Sequence, residues 1–199
     1  MTSERFSVLV VCTGNICRSP VAEILLHQRL TASGLDVAVS SAGTHALVDH
    51  PITDQSLRLL DKYGEHNFPD SLTHRARQLT APMVQSADLV LTATRGQRHE
   101  VVAMQPRASR RAFTLTQFAR LLESVDLDAA EVDDLPSLLT EVAAIRGMVA
   151  PPSTPEQDDI VDPFRRDQAV YDEAGHAIDA AISTIVSVFV AAQNQPERP

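Results

Sequence analysis

The 199-residue sequence lacks tryptophan and contains only two cysteines, and aromatic residues make up 4% of it. Two cysteines are too few for the disulfide framework of a small secreted protein. No succession of basic, apolar and small residues typical of a secretory signal opens the chain. The apolar run from Ala180 to Ala192 contains hydroxyl side chains and is shorter than the roughly 20 residues of a membrane helix. We therefore expect a cytoplasmic protein that has no membrane partner.

Basic side chains are outnumbered, since 17 lysines and arginines stand against 26 aspartates and glutamates and the net charge is −9. Non-specific binding of nucleic acid needs a basic face that displaces counterions, so we expect no nucleic-acid partner. The seven histidines are scattered, and neither the Cys-x2-Cys nor the His-Glu-x-x-His spacing occurs. We predict no metal site and no cofactor. A small cationic pocket for an anionic substrate is compatible with this charge balance.

Short apolar, β-branched runs alternate with helical patterns along the chain, which predicts βαβ units. We expect one doubly wound α/β domain, with a four-stranded parallel sheet flanked by helices. The first helix is predicted to have Ser19 as its N-cap and Pro20 as its first residue. The predicted strands are Phe6–Val11, Val37–Ser41, Asp88–Ala93 and Arg111–Leu115, and the other predicted helices are Thr53–Tyr63, a segment from about Gln97, and Asp167–Gln193.

One acidic segment stands apart from this pattern. Between Leu121 and Asp159 the chain has ten acidic residues and a single base, Arg146, and a helical pattern runs from Leu135 to Val149. We interpret residues 120–159 as an acidic, mostly helical insertion within a single domain that spans residues 1–199. A lid and a partner surface are two roles that the sequence leaves open for it.

The first strand is followed by the motif Cys-x5-Arg-Ser at Cys12, Arg18 and Ser19. A loop that ends at a helix N-terminus directs several backbone N–H groups into one concavity, which binds a tetrahedral oxyanion. An arginine can hold two oxygens of such an anion, and the same environment favours a cysteine thiolate. A thiolate beside a bound phosphate is an in-line nucleophile. The motif therefore predicts phosphoryl transfer at a phosphate loop between the first strand and the first helix.

Residues 12–20 read Cys-Thr-Gly-Asn-Ile-Cys-Arg-Ser-Pro, and throughout they resemble the phosphate loop of the low-molecular-weight protein tyrosine phosphatases. Three further stretches agree in order, and the resemblance covers about residues 6–118 and 160–190. These stretches are Ser40–Thr44, His74–Leu79 and Asp162–Phe164.

The resemblance implies a tyrosine phosphatase in which Cys12 is the nucleophile, Arg18 binds the phosphate and Asp162 is the general acid and base. Asp158, Asp159 and Asp167 lie nearby, but only Asp162 has the Pro-Phe context of the family. The implied substrate is a phosphotyrosine protein, with a tyrosine kinase as one candidate, and the sequence leaves the oligomeric state open.

The resemblance also implies a set of residues around these three. Ser19 would bond the thiolate and assist its departure, and Ser41 and His74 would brace the loop from behind. Phe164 would stack on the substrate ring, although a core aromatic is an open alternative. The residues implied to bind substrate are Thr13, Gly14, Asn15, Ile16, Cys17, Ser19 and Phe164.

Two loop residues carry further implications. In relatives with both loop cysteines, Cys12 and Cys17 can form a reversible disulfide, whereas an inert apolar Cys17 is the alternative. Ile16 favours an aryl phosphate, because family members that act on phosphoarginine carry threonine there. The sequence departs from the family at Thr94, where many relatives have aspartate, and at residues 45–51, which lack an aromatic wall and leave His50 as the nearest candidate.

Two other functions are compatible with this loop. An arsenate reductase of the same fold would use the same nucleophile, but it needs downstream cysteines and none follows Cys17. A non-catalytic phosphate-binding module would not need Cys12, Arg18 and Asp162 together.

Overall fold

A parallel four-stranded sheet with the order β2-β1-β3-β4 lies at the centre of the computed structural model, which describes residues 5–64, 73–127 and 132–194. The predicted α/β fold is therefore confirmed, and each strand lies within two residues of its predicted range. The strands are β1 (Ser7–Cys12), β2 (Ala38–Gly43), β3 (Leu89–Thr92) and β4 (Ala112–Thr114).

Helices connect the strands and cover both faces of the sheet. Two of them were not predicted: α3 has only six residues, and α5 begins directly after β4, where Thr114 caps it. The helical spacing of Leu115, Phe118 and Leu122 could have revealed α5. The helices are α1 (Arg18–Ala32), α2 (Asp54–Lys62), α3 (Ala81–Ser86), α4 (Arg95–Met104), α5 (Leu115–Leu122), α6 (Leu135–Ile145) and α7 (Gln168–Gln193).

The side chains of β1 alternate between two apolar clusters, as expected of a strand that is buried on both faces. Val8 and Val10 pack in the larger cluster, which includes the buried faces of α1, α5 and α7. Leu9 and Val11 pack in a smaller cluster with residues of α3 and α4. This double burial fixes the position of the carboxyl end of β1, where Cys12 lies.

Helix α7 is long and apolar enough to cross a membrane by length and composition, with a mean hydropathy of 1.6 in its most apolar window. Such a signal is weak for a single helix, since the core helix of a folded domain gives the same one. Ala174, Ile178, Ile185 and Phe189 are buried along one face of α7, and the helix packs on α1 and α5. Its apolar character is thus explained by core packing.

The described part of the acidic segment contains α6, which confirms the predicted helix but ends it at Ile145. Leu135, Leu138 and Val142 bury one face of α6 in the larger cluster. Helix α6 lines a groove of about 570 Å³ together with Phe6 and Asp88, which precede β1 and β3. It therefore lies at the amino ends of the strands, so α6 itself is not a lid over the phosphate loop.

Arg146, the single base of the acidic segment, attaches the end of α6 to the sheet. Its guanidinium donates hydrogen bonds to the carbonyl oxygens of Ser109 and Ala112, at 2.8 Å each, and lies 3.5 Å from the ring centroid of Phe113. Burial lowers the pKa of Arg146 to about 10. The guanidinium is still charged at neutral pH.

Gly43 ends β2 beside the phosphate loop, and it is required there by close backbone approach. A Cβ at this position would overlap the carbonyl oxygen of Thr13. The backbone N–H of Thr44 donates to the carbonyl of Cys12, and that of His45 donates to the carbonyl of Thr13. The end of β2 thus supports the first half of the loop.

Candidate active site

The loop of residues 13–17 connects the carboxyl end of β1 to α1, as predicted. Helix α1 begins at Arg18 with Cys17 at the N-cap position, and no side chain caps it. The prediction that Ser19 is the N-cap was therefore wrong. The loop enters the helix earlier than predicted, which places Ser19 inside the first turn and turns its hydroxyl towards Cys12.

Cys12 is almost completely buried, at 2% exposure, and its sulfur faces the loop. The Sγ atom lies 3.0 Å from the Oγ of Ser19 and accepts a hydrogen bond of 3.2 Å from the backbone N–H of Asn15. The N–H of Asn15 faces the sulfur, and the hydroxyl of Ser19 can turn its hydrogen towards the same atom. The structure thus brings Cys12, Asn15 and Ser19 together as predicted.

Asn15 organises the back of the loop. Its backbone has a φ of 56°, a left-handed conformation that asparagine tolerates. The side-chain amide donates to the Oγ atoms of Ser19 and Ser41 at 2.9 and 2.8 Å, and its Oδ1 accepts from the backbone N–H of Arg77. His74 Nε2 lies 2.9 Å from the Asn15 carbonyl oxygen. The structure therefore places Ser41 and His74 behind the loop.

Glu23 extends this network, and sequence reasoning missed it. The Ser41 hydroxyl donates to Glu23 Oε2 at 2.5 Å, and the Nδ1 of His74 lies 3.9 Å from the same oxygen. Glu23 lies on α1 just beyond the loop, so the helix that receives the loop also braces its back. A carboxylate inside an ordinary helical pattern gives no sequence signal of this kind.

Asn15→Ala is expected to destabilise the protein by about 2–4 kcal/mol, because it leaves buried donors and acceptors unpaired and places a Cβ-bearing residue without local hydrogen bonds at positive φ. Asn15→Gly removes the same hydrogen bonds but tolerates the backbone angle. We expect it to be about 1 kcal/mol less destabilising. Urea unfolding of the two variants measures both effects, and equal stabilities would show that the left-handed backbone contributes nothing.

Arg18 lies under the opening of the loop and is 4% exposed. Its Nη1 donates to the carbonyl of Ile160 at 3.0 Å, and its Nη2 lies 3.0 Å from Oδ2 of Asp162. The buried Nε has no hydrogen-bond partner among the described residues. The predicted anion-binding residue and the predicted acid are therefore in direct contact.

Asp162 is delivered by residues 158–162, which connect the short 3-10 helix Pro155–Asp158 to the site. The Ile160 N–H donates to the carbonyl of Ala93 at 2.8 Å, and Arg95 bonds both carboxylate oxygens of Asp159. Arg120 pairs with Asp158 at 3.1 Å. Asp158 and Asp159 are thus each bound to an arginine, and these ion pairs fix residues 158–162. Among the aspartates of this segment, Asp162 is the one that lines the cavity.

The start of helix α4 contacts the phosphate loop, and the sequence did not indicate this contact. Thr94, in place of the family's aspartate, forms a capping box with Gln97 at the start of α4, so this helix begins at Arg95 rather than at Gln97. The buried Gln97 also donates from Nε2 to the Oγ1 of Thr13 at 3.0 Å. The N-terminus of α4 therefore supports the phosphate loop without a carboxylate.

The loop opens into a cavity of about 130 Å³ between two side-chain walls. Phe164 forms one wall and is 39% exposed, so the alternative of a core aromatic is wrong. Leu47 forms the other wall with His45 beside it, whereas the Nδ1 of His50 contacts the carbonyls of Leu47 and Val48. His50 as the second wall was therefore wrong, since the aliphatic Leu47 stands where an aromatic residue was expected.

The family described as "Low molecular weight phosphotyrosine protein phosphatase" matches residues 7–136 of this chain. The chain belongs to this family. EpsP of Ralstonia solanacearum, a probable low molecular weight protein-tyrosine-phosphatase, is 38% identical over 122 residues, which are 61% of this chain and 76% of EpsP. A protein-arginine-phosphatase of Bacillus subtilis is 32% identical over 145 residues, which are 68% of this chain and 93% of that protein.

The fold of this family member is also found among solved structures. The structure of Vibrio vulnificus Wzb in complex with benzylphosphonate has a TM-score of 0.65 to it at 22% identity, covering 92% of this chain and 97% of Wzb. No group of three histidine, cysteine, aspartate or glutamate side chains suited to a metal ion occurs within residues 5–64, 73–127 and 132–194.

Cys17, the second cysteine of the loop in this phosphatase-family chain, contacts different hydroxyl groups from Cys12. Cys17 Sγ lies 3.6 Å from the hydroxyl of Tyr171 and 3.7 Å from that of Thr53, and both cysteines are free thiols. Burial raises the pKa of Cys17, and the two hydroxyls oppose this effect only in part. Burial also raises the pKa of Tyr171 to about 12. The Cys17–Tyr171 contact is therefore neutral at physiological pH.

Cys17 is expected to react with iodoacetamide at least about tenfold more slowly than free cysteine at pH 7.5, because it is buried and its raised pKa keeps it protonated. The measurement uses the Cys12→Ser protein, in which Cys17 is the sole thiol, and mass spectrometry of the alkylated protein. Alkylation at the rate of free cysteine would contradict the buried, hydrogen-bonded position.

Proposed function

We propose that the chain hydrolyses phosphotyrosine in proteins through a cysteinyl-phosphate intermediate. The observation that carries this proposal is the convergence of Cys12, Arg18 and Asp162 on one small cavity whose walls are Phe164 and Leu47. A nucleophile, an anion binder and an acid are the parts that transfer of a phosphoryl group from an aryl ester requires. The walls suit a flat apolar ring.

Binding of the phosphate uses groups at the amino end of α1. The backbone N–H groups of the loop and the dipole of α1 favour a dianion there. The Nε–H of Arg18 is buried and lacks a protein partner among the described residues, so it is the donor we assign to a phosphate oxygen. A fixed guanidinium stabilises the charge that develops on these oxygens in the transition state.

In the first chemical step, the Cys12 thiolate attacks phosphorus in line. The bond between phosphorus and the phenolic oxygen breaks, and its electron pair leaves with that oxygen, which takes a proton from Asp162. In the second step, water gives a proton to the Asp162 carboxylate and attacks phosphorus. The S–P bond breaks, its electron pair returns to Cys12, and the Ser19 hydroxyl at 3.0 Å stabilises the restored thiolate.

Ile16 supports an aryl substrate rather than a phosphoguanidine. Its side chain is 5% exposed and lines the cavity, where it offers no hydrogen-bonding group. The Bacillus subtilis relative is named a protein-arginine-phosphatase, so the two substrates must be compared directly. We propose phosphotyrosine as the substrate because a guanidinium that entered this cavity would meet apolar walls.

We expect the chain to hydrolyse a phosphotyrosine peptide with a higher kcat/KM than the matched phosphoarginine peptide. Ile16→Thr should lower the ratio of kcat/KM for phosphotyrosine to kcat/KM for phosphoarginine by about tenfold. The threonine hydroxyl can accept a hydrogen bond from a guanidinium, and it makes a poorer apolar contact with an aromatic ring. Malachite green detection of phosphate measures both rates. Faster hydrolysis of phosphoarginine by the unaltered protein would overturn the tyrosine proposal.

The other candidate functions have clear tests. Arsenate reduction coupled to thioredoxin or to a low-molecular-weight thiol should be absent, because no cysteine after Cys17 exists to relay a disulfide. A non-catalytic phosphate-binding module would release no phosphate from p-nitrophenyl phosphate. We further propose a cytoplasmic phosphotyrosine protein, such as a tyrosine kinase, as the substrate.

A further inference from the structure

Two arginines directly follow the aromatic wall of the cavity. Arg165 and Arg166 are both exposed, and the guanidinium carbon of Arg165 lies 5.1 Å from the ring centroid of Phe164. Within the described residues, neither side chain makes a salt bridge or a hydrogen bond. These two cations are therefore open to a ligand that enters beside Phe164.

The acidic side chains close to the two arginines in sequence contact other groups. Within the described residues, none of the carboxylates from residue 156 to residue 172 forms a salt bridge with either arginine, and each of them contacts another group. Glu156 and Asp159 bind Arg95, Asp158 binds Arg120, Asp162 binds Arg18, Asp167 accepts from the N–H of Val170, and Asp172 contacts both Lys62 and Gln168.

Both arginines follow Phe164, a wall of the cavity, within two residues, so the backbone keeps them near the rim of the cavity. The N–H of Arg166 donates to the carbonyl of Pro163 at 2.9 Å, and this turn places Arg165 at a positive φ of 61°. On the opposite wall, Leu47 is an exposed apolar side chain, and Val48, the next residue, is exposed as well. An extended peptide advances about 3.3–3.6 Å per residue, so side chains one to three positions from a bound phosphotyrosine reach this rim.

We propose that Arg165 and Arg166 form a recognition site for acidic residues next to phosphotyrosine in the substrate. The proposal rests on the proposed function, since it assigns the sequence context that the same cavity selects. Guanidinium groups bind carboxylates in a bidentate manner, and two free cations in a chain of net charge −9 attract acidic peptides locally. An acidic context therefore raises kcat/KM.

The test compares phosphotyrosine peptides of one length whose flanking residues are glutamate, glutamine or lysine. At low salt we expect kcat/KM for the glutamate peptide to exceed that for the glutamine peptide by about 5–20-fold, as for two exposed ion pairs that act together. The lysine peptide should be poorer than the glutamine peptide. The preference should shrink at high salt, because exposed charges are screened.

Variants assign this preference to the two side chains. The double variant Arg165→Gln with Arg166→Gln should reduce the glutamate-to-glutamine ratio to about twofold or less, whereas Arg165→Lys with Arg166→Lys should retain part of it. The matched control replaces Arg107 and Arg110 by glutamine. This changes net charge equally at the exposed 3-10 helix Pro106–Arg110, and it should leave the ratio at the unaltered value. The ratio cancels any general change in turnover.

The outcomes separate this proposal from the function on which it rests. If the peptides are hydrolysed with equal efficiency, or if the ratio is the same in the Arg165 and Arg166 variant, the recognition site is wrong and the tyrosine phosphatase activity stands. If no phosphotyrosine peptide is hydrolysed while p-nitrophenyl phosphate is, both proposals are wrong.

Discussion

Cys12→Ser is expected to reduce turnover of p-nitrophenyl phosphate and phosphotyrosine by roughly 10⁴-fold or more, because a serine hydroxyl is a far weaker nucleophile than a thiolate. The rest of the phosphate site is unchanged by this substitution. The variant should therefore still bind inorganic phosphate and vanadate, which calorimetry measures, and should unfold in urea at nearly the same midpoint as the unaltered protein.

The second loop cysteine provides the matched control for this experiment. Cys17→Ser makes the same chemical change five residues away, at a side chain whose Sγ contacts Tyr171 and Thr53. We expect it to cost less than about tenfold in kcat, as a change that removes no reacting group. Comparable losses in the two variants, or substantial activity in Cys12→Ser, would contradict the role assigned to Cys12.

Asp162→Ala is expected to lower kcat/KM on phenyl phosphate by about 10²–10³-fold for loss of a general acid, since kcat/KM reports the steps up to transfer of the phosphoryl group to Cys12. Its effect on dinitrophenyl phosphate should be at least about tenfold smaller, because that leaving group departs without a proton. Steady-state kinetics over a series of substituted phenyl phosphates measures this dependence on the leaving group.

Loss of the Arg18–Asp162 contact could disturb phosphate binding by itself, so Asp162→Asn is the control. The amide oxygen can keep the contact that Asp162 Oδ2 makes with Arg18, whereas the amide nitrogen then replaces the Oδ1 that accepts from the N–H of Phe164 at 3.2 Å, and the side chain cannot supply a proton. We expect the same dependence on the leaving group as in Asp162→Ala. Equal losses of kcat/KM on good and poor leaving groups in both variants would remove Asp162 from the acid role.

Much of the fold could be predicted because local patterns and tertiary packing agree. The four strands are short apolar runs that are buried on both faces, and the glycines at positions 34 and 64 end their helices with φ angles of 79° and 85°. Helix α5 was missed because its first residues continue the apolar run of β4. The start of α1 was misplaced by two residues, because Ser19 has the side chain of a favourable N-cap but bonds Cys12 and Asn15 instead.

Cys12 and Arg18 are close together in sequence, and Asp162 could be singled out by its Pro-Phe context, whereas the residues that support the site are scattered along the chain. Cys12 and Arg18 share a loop and could be found from spacing alone. Leu47, Arg95 and Gln97 come from other elements and become neighbours of the site only through the parallel sheet, which gathers the carboxyl ends of its strands at one edge. Tyr171 has the pattern of a core residue of α7, and nothing in the sequence indicates that its hydroxyl meets Cys17.

The central claim is that catalysis passes through a phosphoryl group on Cys12, and acid-quenched turnover tests it most directly. Protein mixed with p-nitrophenyl phosphate and quenched within milliseconds is digested with trypsin and analysed by mass spectrometry. The peptide from Phe6 to Arg18 contains both cysteines, so fragmentation must locate the added group. We predict one phosphoryl group on Cys12, formed at least as fast as kcat. A phosphoryl group on another residue, or product formation with no phosphorylated protein, would contradict the mechanism.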